Sequence, residues 1–424
     1  MENEFCSNLR SSTTYGEVLS DDRVIDLVDS APEEKLEIIV HNGKQSLIVP
    51  KIEHDGVIYI PPHLDPTVRR AMRFPAGVSE YGSTVTLLWK VSRLCRRHLG
   101  LSEVFAATIT YWVLTTWVPE LFAAPPILSI AGSSMAQAVK FFRLLGALCR
   151  RAIIVAGLSQ QLPLAPHPTL LVIEAGLTAK MRASWRACNY YGVYLPASSG
   201  ALREMVCSKA IFSETSDAIG SWGEEALQIV LLPTNELLAL TEQDQAEIAA
   251  EFQPQFELYR LRRLQPTSQS VGVSCPPEFA ASGLGRESFA LLAGEPDGAK
   301  MLLPIIEHHR QAITARRSLD PLTAILEAIW GPAHAQKQIS TTEVQKRANA
   351  LLRDHGESLE YTAREIGWKL AHLDLSRRRA AEGMVLRFSR ELRRRIHELA
   401  RQFGLTLPSV NGCADCSPVQ VVEQ

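Results

Sequence analysis

Residues 125–145 read PPILSIAGSSMAQAVKFFRLL, and this stretch decides the fold. The apolar run Ile127–Ala131 predicts a buried strand, and the Gly-Ser-Ser sequence at 132–134 predicts the turn that follows it. Ala136–Cys149 repeats apolar residues at helical spacing and predicts a helix. A strand, a tight turn and a helix in immediate succession are typical of proteins in which strands and helices alternate around a parallel sheet.

The same alternation continues on both sides of this stretch. Helices are predicted over Thr84–Leu99 and Glu103–Trp117, and the second is apolar nearly all round, so it should be buried. Four more short apolar runs are typical of strands covered on both faces: Ala152–Ala156, Thr169–Ile173, Lys209–Phe212 and Leu227–Leu232. We therefore expect an α/β protein whose core, residues 84–265, is built on a mostly parallel sheet.

The core resembles a P-loop NTPase, in which a loop of the form G-x-x-x-x-G-K-[ST] wraps phosphates with its backbone N–H groups. The segments ATITYWVLTTWVPELFAAPPILSIAG and LCRRAIIVAG make it similar to the phage- and plasmid-type helicase/primase ATPases over about residues 85–265. We align Gly132 with the first glycine of the loop. Gln137, Ala138 and Val139 then replace the second glycine, the lysine and the hydroxyl residue, so the motif is degenerate.

The second nucleotide motif of that family is altered too. In the family a strand ends in Asp-Glu, whereas here Ile173 replaces the aspartate and Glu174 remains. Lys140 lies two positions beyond the lysine position, a rotation of about 200° on a helix. The resemblance thus implies a P-loop-like site without catalytic residues and without a cofactor, ATP with Mg²⁺ being the alternative. Its degenerate nucleotide-binding residues are Gly132, Ser133, Ser134 and Glu174.

Other interpretations use the same residues. In one, the turn at 132–134 is only a tight connection whose serine caps the helix. In another, the turn is one residue away from the G-x-S-x-G nucleophile elbow, with Ser134 as the nucleophile and Asp217 and His308 as its partners. Arg260, Arg262 and Arg263 are either an arginine finger or a charged surface.

Composition and charge limit the class of protein. The 424 residues suffice for two or three domains, and 46% apolar with 21% charged residues excludes a disordered chain. The net charge of −2 hides two opposite ends, because residues 1–35 carry −6 and residues 362–401 carry +6, while residues 101–180 hold only eight charges. This asymmetry predicts a buried centre and a C-terminal module that binds a polyanion.

The N-terminal region divides into two parts. Residues 1–30 are acidic and are expected to be loose, and residues 31–83 are expected to form a small β-rich segment with a hairpin turn at Asn42-Gly43. The first residues do not have the pattern of an export signal. The apolar run Val104–Val118 is shorter than the roughly 20 residues that span a bilayer, so we expect a cytoplasmic protein without a membrane helix.

The C-terminal region should be helical over residues 266–335 and should form a separate basic domain over residues 339–404. Two helices, a short hairpin and a last helix within about 65 residues are typical of a winged helix-turn-helix variant. Trp368 is expected in its core. Clustered basic residues in the turn before the hairpin and on the last helix indicate contact with nucleic acid, taken as DNA. They are Arg377, Arg378, Arg379, Arg390, Arg393, Arg394 and Arg401, and His397 is expected on the same helix face.

The eight cysteines are scattered, and reduced thiols are the expected state. Cys413-x-x-Cys416 supplies two of the four ligands that a zinc site needs, and His397 is the nearest further candidate. We expect no metal and two exposed thiols in a flexible tail, residues 405–424; a metal site and a redox pair are the alternatives.

These observations predict a catalytically inactive helicase- or ATPase-like scaffold that binds nucleic acid or a replication partner, for example in a mobile element, with homo-oligomerisation left open. One rival hypothesis is a DNA-binding regulator that uses its C-terminal domain, while the core serves assembly only. The other rival is a serine hydrolase that uses Ser134.

Overall fold

The computed structural model describes most of the chain. The described residues are 10–30, 35–157, 167–173, 178–196, 202–204, 206–214, 222–223, 226–232, 239–265, 275–276, 279, 283–292, 295–318, 320–355, 357, 359–381, 383–405, 407–408, 410, 413 and 415–416. They group into two compact units, Met1–His309 and Arg310–Gln424.

The N-terminal strands begin earlier than the sequence suggested. Strands β1 (Arg10–Thr13), β2 (Glu17–Val18) and β3 (Val24–Val28) lie within the segment that was expected to be loose, and every residue of β3 is buried. The expectation is therefore wrong for residues 10–28. The expectation fails because of Asp26. As an acidic residue it suggests a solvated segment, but its carboxylate is neutralised by buried arginines.

A β-rich segment follows. It contains β4 (Glu37–His41), β5 (Ser46–Val49), β6 (Ile52–His54) and β7 (Val57–Ile60). One antiparallel sheet has the order β2-β3-β4-β5, and a second sheet has the order β1-β7-β6. At the predicted hairpin turn Gly43 has φ +90°, and the Asn42 side-chain oxygen accepts from the backbone N–H groups of Lys44 and Gln45.

Four helical segments lead from these sheets to the main one. They are α1 (Pro66–Ala71), α2 (Thr84–Leu99), α3 (Glu103–Trp117) and a 3₁₀ turn (Pro119–Leu121). Helices α2 and α3 have the predicted bounds. From Thr108 to Trp117 every residue of α3 is buried, as its apolar pattern predicted.

The predicted parallel sheet is present. The next elements are β8 (Ile127–Gly132), α4 (Met135–Leu148), β9 (Ala152–Ala156), β10 (Thr169–Ile173), α5 (Ala179–Ala187), β11 (Tyr194–Pro196), β12 (Leu202–Glu204), β13 (Lys209–Ser213) and β14 (Leu227–Leu231). The five-stranded sheet has the order β14-β8-β13-β10-β9, and all its pairs are parallel. The strand that carries the Gly132 turn therefore lies inside the sheet, and β11 and β12 form a separate pair.

Within the described residues, three more helices follow the sheet, and the last of them continues past His309 into the second unit. They are α6 (Glu242–Arg263), α7 (Gly283–Leu291) and α8 (Pro296–Ser318). Helix α6 begins at a capping box, in which the Thr241 and Asp244 side chains accept from each other's backbone N–H groups. Helix α6 packs against α4 and α3, and its residues 255–261 are all buried.

A buried ionic network joins the N-terminal strand β3 to the core. The Asp26 carboxylate, 1% exposed, accepts hydrogen bonds from Arg150, Arg151 and Arg260. Arg150 and Arg151 lie in the turn between α4 and β9, and Arg260 lies on α6. Arg260 also donates two hydrogen bonds of 2.8 Å to Glu120 and one of 2.7 Å to the Trp117 carbonyl.

The second unit contains α9 (Leu322–Ala335), β15 (Gln338–Ser340), α10 (Thr341–Asp354), α11 (Ala363–His372), β16 (Arg378–Ala380), β17 (Gly383–Arg387) and α12 (Arg390–Gln402). Its antiparallel sheet has the order β15-β17-β16. Helix α9 shares a hydrophobic core with α10, α11 and α12. The last helix of the region predicted over 266–335 therefore belongs with the C-terminal elements.

The segment after α12 is packed in part. Leu405, Leu407 and Cys416 lie against the hydrophobic core of the second unit. The expectation of a flexible tail is therefore wrong at these positions, because apolar side chains bring the segment onto the core; residues 417–424 are outside the described part. Within the described ranges, none of the helices combines the length and the apolar character that crossing a bilayer requires.

We predict that Asp26→Asn destabilises the protein by about 3–5 kcal/mol, because three arginines would stay buried without their carboxylate. Burial alone raises the pKa of Asp26, but the three arginine charges outweigh burial and hold that pKa well below its ordinary value. Below about pH 4, Asp26 therefore binds a proton in the unfolded chain but not in the folded chain. Consequently the free energy of unfolding should fall as the pH drops below about 4, and less so in the variant.

Urea unfolding of the full chain checks this prediction. The matched control is Asp21→Asn, which removes an exposed ion pair with Arg23 and should cost no more than about 1 kcal/mol. Equal unfolding midpoints for the two variants would show that the buried network does not stabilise the fold.

Candidate nucleotide and nucleic-acid sites

The turn at Gly132 is shorter than the loop of the P-loop pattern. Strand β8 ends at Gly132 and α4 begins at Met135, so only Ser133 and Ser134 connect them. In the P-loop pattern the next two residues, Met135 and Ala136, would belong to the loop. Here they form the first helical turn, and the Ser134 hydroxyl caps the helix by accepting from the Gln137 N–H at 3.3 Å.

Gly132 lies where neighbouring strands leave little room for a side chain. A side chain at this position would place its Cβ 3.1 Å from both the Cβ and the carbonyl oxygen of Leu231 and 3.4 Å from the Phe212 ring. Leu231 lies on β14 and Phe212 on β13, the two strands that flank β8. The close approach of these strands thus explains the glycine without a ligand.

Gln137 and Ala138, at the motif's second glycine and lysine positions, take part in the packing of the first unit. The Gln137 amide donates to the Leu232 carbonyl at 2.8 Å, at the end of β14. Ala138 is 1% exposed and packs in the main hydrophobic cluster, so a lysine there would be buried. Lys140 acts electrostatically on His98 of α2; burial, then Arg97 and Lys140, lower the pKa of that histidine.

Two of the predicted residues on this side lie outside the described part of the chain, Glu174 and Asp217. Ile173, at the aspartate position of the second motif, is the last residue of β10. Two residues of the hydrolase hypothesis lie in the described part of the chain. Ser134 caps helix α4, and the His308 ring packs edge-on against Phe105, with ring centres 5.5 Å apart.

The three arginines at the end of α6 are not one surface. Arg260 is fully buried in the Asp26 network, so for this residue both expectations, an arginine finger and a charged surface, are wrong. Arg262 is partly exposed, pairs with Glu80 at 2.6 Å and lies over the Tyr81 ring at 5.4 Å. The sequence could not separate these two residues, because their partners are far away along the chain.

In the second unit, α11 presents a polar and aromatic face. Thr362 and Glu365 form its capping box, and Ile366 and Leu370 are buried. The exposed side chains at i, i+4 and i+8 are Arg364, Trp368 and His372.

Trp368 is 63% exposed, so its expected place in the core is wrong. The Arg364 guanidinium lies 5.6 Å from the centre of its indole ring. The helical pattern contained the signal, because Ile366, Leu370 and Leu373 occupy the opposite, buried side. The position of Trp368 on the helix, and not the apolar character of its ring, therefore determines its exposure.

The hairpin β16-β17 follows this helix. Arg378 and Arg379 on β16 are exposed, and the half-buried Arg377 lies with its guanidinium against Gly367 of α11. The structure thus brings two of the three predicted hairpin arginines to the surface of the same unit as Trp368. We call Arg364, Trp368, His372, Arg378 and Arg379 the α11–hairpin surface.

The predicted basic stripe on α12 is interrupted. His397, expected on its exposed face, is only 3% exposed. Arg393 donates to the Ala333 carbonyl at 2.7 Å, and Arg394 pairs with Glu398 at 3.3 Å. Arg401 is exposed and donates to the His397 carbonyl at 3.3 Å, and Arg390 is exposed at the start of the helix.

Contrary to the expectation, the two cysteines of the C-terminal segment are not exposed thiols. Cys413 and Cys416 are half-buried and lie beside His334 and His397. The ligand atoms of the four side chains all lie within 4.8 Å of one another. We call these residues the His/Cys cluster. The sequence pointed to His397 but not to His334, which lies on a different helix.

Comparison with known proteins gives distant likenesses. No protein-family model matches the chain, and no curated protein matches it in sequence. Among solved structures, the apo A form of the NrS-1 C-terminal region is 10% identical with a TM-score of 0.40, covering 85% of this chain and 96% of that one. Drosophila ORC bound to DNA is 12% identical with a TM-score of 0.17, covering 81% and 96%. At these scores function has to be inferred from the chain's own residues.

We predict that Ser134→Ala lowers the free energy of unfolding by about 1 kcal/mol, because α4 loses its cap. Ser133→Ala, at the exposed neighbouring serine, is the matched control and should change it by less than about 0.5 kcal/mol. Denaturant unfolding measures both. A fluorophosphonate probe should form no adduct that depends on Ser134; such an adduct would revive the hydrolase hypothesis.

Proposed function

We propose that the protein is an ATPase-like scaffold that binds DNA in part through its C-terminal unit and does not turn over nucleotide. The observation that carries the proposal is the α11–hairpin surface, where an exposed tryptophan with an arginine over its ring lies in the same unit as two exposed arginines. Aromatic rings stack on bases, and arginines neutralise phosphates. The combination is typical of nucleic-acid binding.

The element order of the second unit supports a winged helix-turn-helix arrangement. The order α9, β15, α10, α11, β16, β17 places two helices before a hairpin, and β15 pairs with β17 to complete a small sheet. In helix-turn-helix proteins the second helix of the pair contacts the bases. By this assignment α11 is the recognition helix, and Arg378 and Arg379 contact phosphates from the wing.

The first unit supports a role without catalysis. A two-residue turn leaves no loop to wrap a phosphate, and the position of the motif's lysine is a buried alanine. In this proposal the unit that contains the parallel sheet serves assembly. Homo-oligomerisation and a place in a mobile element are further parts of the proposal. In the variant proposal, a DNA-binding regulator, all DNA binding resides in the second unit; the division into two compact units favours it.

We predict that replacing both Arg378 and Arg379 by alanine weakens DNA binding and lowers the slope of log affinity against log salt by about 2, since each phosphate contact contributes about 0.9. Trp368→Ala should cost about 1–3 kcal/mol on single-stranded DNA, and Trp368→Phe should retain most of the affinity because it keeps a ring for stacking. Fluorescence anisotropy with the full chain at several salt concentrations measures these effects.

The matched control is Arg347→Ala, since Arg347 is a partly exposed arginine on α10 that pairs with Glu343. It should leave both affinity and salt slope unchanged. Equal losses in the control and the double variant would show a general charge effect and would refute the surface. A chain lacking residues 339–424 separates the two versions of the proposal: the scaffold retains some DNA affinity, whereas the regulator loses all of it.

A further inference from the structure

Four of the six distances within the His/Cys cluster are close to those of a tetrahedral metal site. Zinc bonds of about 2.0–2.1 Å to nitrogen and about 2.3 Å to sulfur place tetrahedral ligand atoms about 3.3–3.8 Å apart. The two histidine Nε2 atoms are 3.3 Å apart, and Cys416 Sγ lies 3.3 Å from His334 Nε2 and 3.1 Å from His397 Nε2. Cys413 Sγ lies 3.6 Å from His397 Nε2.

Both imidazole rings are oriented as metal ligands are. His334 Nδ1 lies 2.8 Å from the Trp330 carbonyl, and His397 Nδ1 lies 2.8 Å from the Arg393 carbonyl. A carbonyl can only accept, so each Nδ1 carries the proton and donates it. Each Nε2 is then left with a lone pair directed at the cluster. Metal-ligating histidines are fixed in this way by hydrogen bonds from the opposite nitrogen.

Without a cation, only weak S–H···N hydrogen bonds from the two cysteines would satisfy the Nε2 lone pairs. Two nitrogen lone pairs would face each other at 3.3 Å beside two sulfur atoms, with no proton on either Nε2. The cluster is partly shielded from water, because His397 is 3% exposed and the Trp330 ring packs on both imidazoles, with centres 4.9 Å and 4.5 Å away. A divalent cation removes the repulsion and binds all four ligands.

We propose that His334, His397, Cys413 and Cys416 bind one structural zinc ion. Two imidazoles and two thiolates are the donor set that favours Zn²⁺ over the hard cations Mg²⁺ and Ca²⁺. All four positions are filled by the protein, so none is left for a substrate or a reactive water. The zinc therefore stabilises the unit and does not take part in a reaction.

The ion would join three segments that are far apart in sequence. His334 lies in the last turn of α9, His397 lies in the middle of α12, and the cysteines follow α12. The Trp330 indole N–H donates to the Pro408 carbonyl at 3.1 Å, which brings the cysteine segment to the same end of α9. Because metal binding couples to folding, the zinc should fix the segment around residues 408–416 onto the two helices.

The test begins with the full-length wild-type chain, purified under reducing conditions, dialysed with Zn²⁺ and then freed of unbound metal. Elemental analysis should give one zinc per chain. Cobalt(II) in its place should give the visible bands of a tetrahedral ion and a thiolate-to-cobalt charge-transfer band. Cys416→Ser should lose the stoichiometric zinc. Cys275→Ser, at a half-buried cysteine of the first unit, should retain it.

A second measurement does not depend on the folding of a variant. A mercurial that caps thiols should release the zinc from the wild-type chain, and removal of the ion by a chelator should lower the unfolding temperature. The proposal is overturned by a wild-type chain that takes up no zinc, by a Cys413–Cys416 disulfide in its place, or by a Cys416→Ser chain that keeps one zinc. These outcomes do not bear on DNA binding.

Discussion

The carboxylate of Asp26 is the point on which the first unit depends. It lies on β3 and accepts hydrogen bonds from arginines that come from two other places in the chain, the turn after α4 and helix α6. Burying a carboxylate or an arginine alone is costly, so the four groups are stable in the interior only together. The N-terminal strands are therefore part of the core, although the segment that contains them is acidic.

The same interaction fixes the position of Arg260 on helix α6. Arg260 is held by Asp26 on one side and by Glu120 and the Trp117 carbonyl on the other, so it cannot reach a nucleotide. Glu257, one turn earlier, is also buried, and burial followed by the nearby Asp26 charge raises its pKa. The few charges of the centre of the chain thus stabilise its packing. Together with the short turn after β8, the packing of Gln137 and Ala138 gives these two positions structural roles beside the parallel sheet.

The sequence predicted those parts of the structure that local patterns determine. Helices α2 and α3 and strands β9 and β10 have the predicted bounds, because apolar periodicity, caps and turn residues act within a few positions. The network around Asp26 could not be predicted, since its partners Arg150 and Arg260 are more than a hundred residues away. The same holds for His334 and Cys416, 82 positions apart. Trp368 differs from these cases, because its exposure was contained in the helical pattern of its own neighbours.

We propose that DNA binding by this α/β protein does not depend on a nucleotide. The most direct test is the affinity of the full-length chain for DNA with and without ATP and Mg²⁺, with release of inorganic phosphate followed in the same samples. We expect the same affinity in both conditions and no phosphate release above that of a sample without protein. A nucleotide-dependent change in affinity, or phosphate release that disappears in Glu174→Gln, would contradict the account.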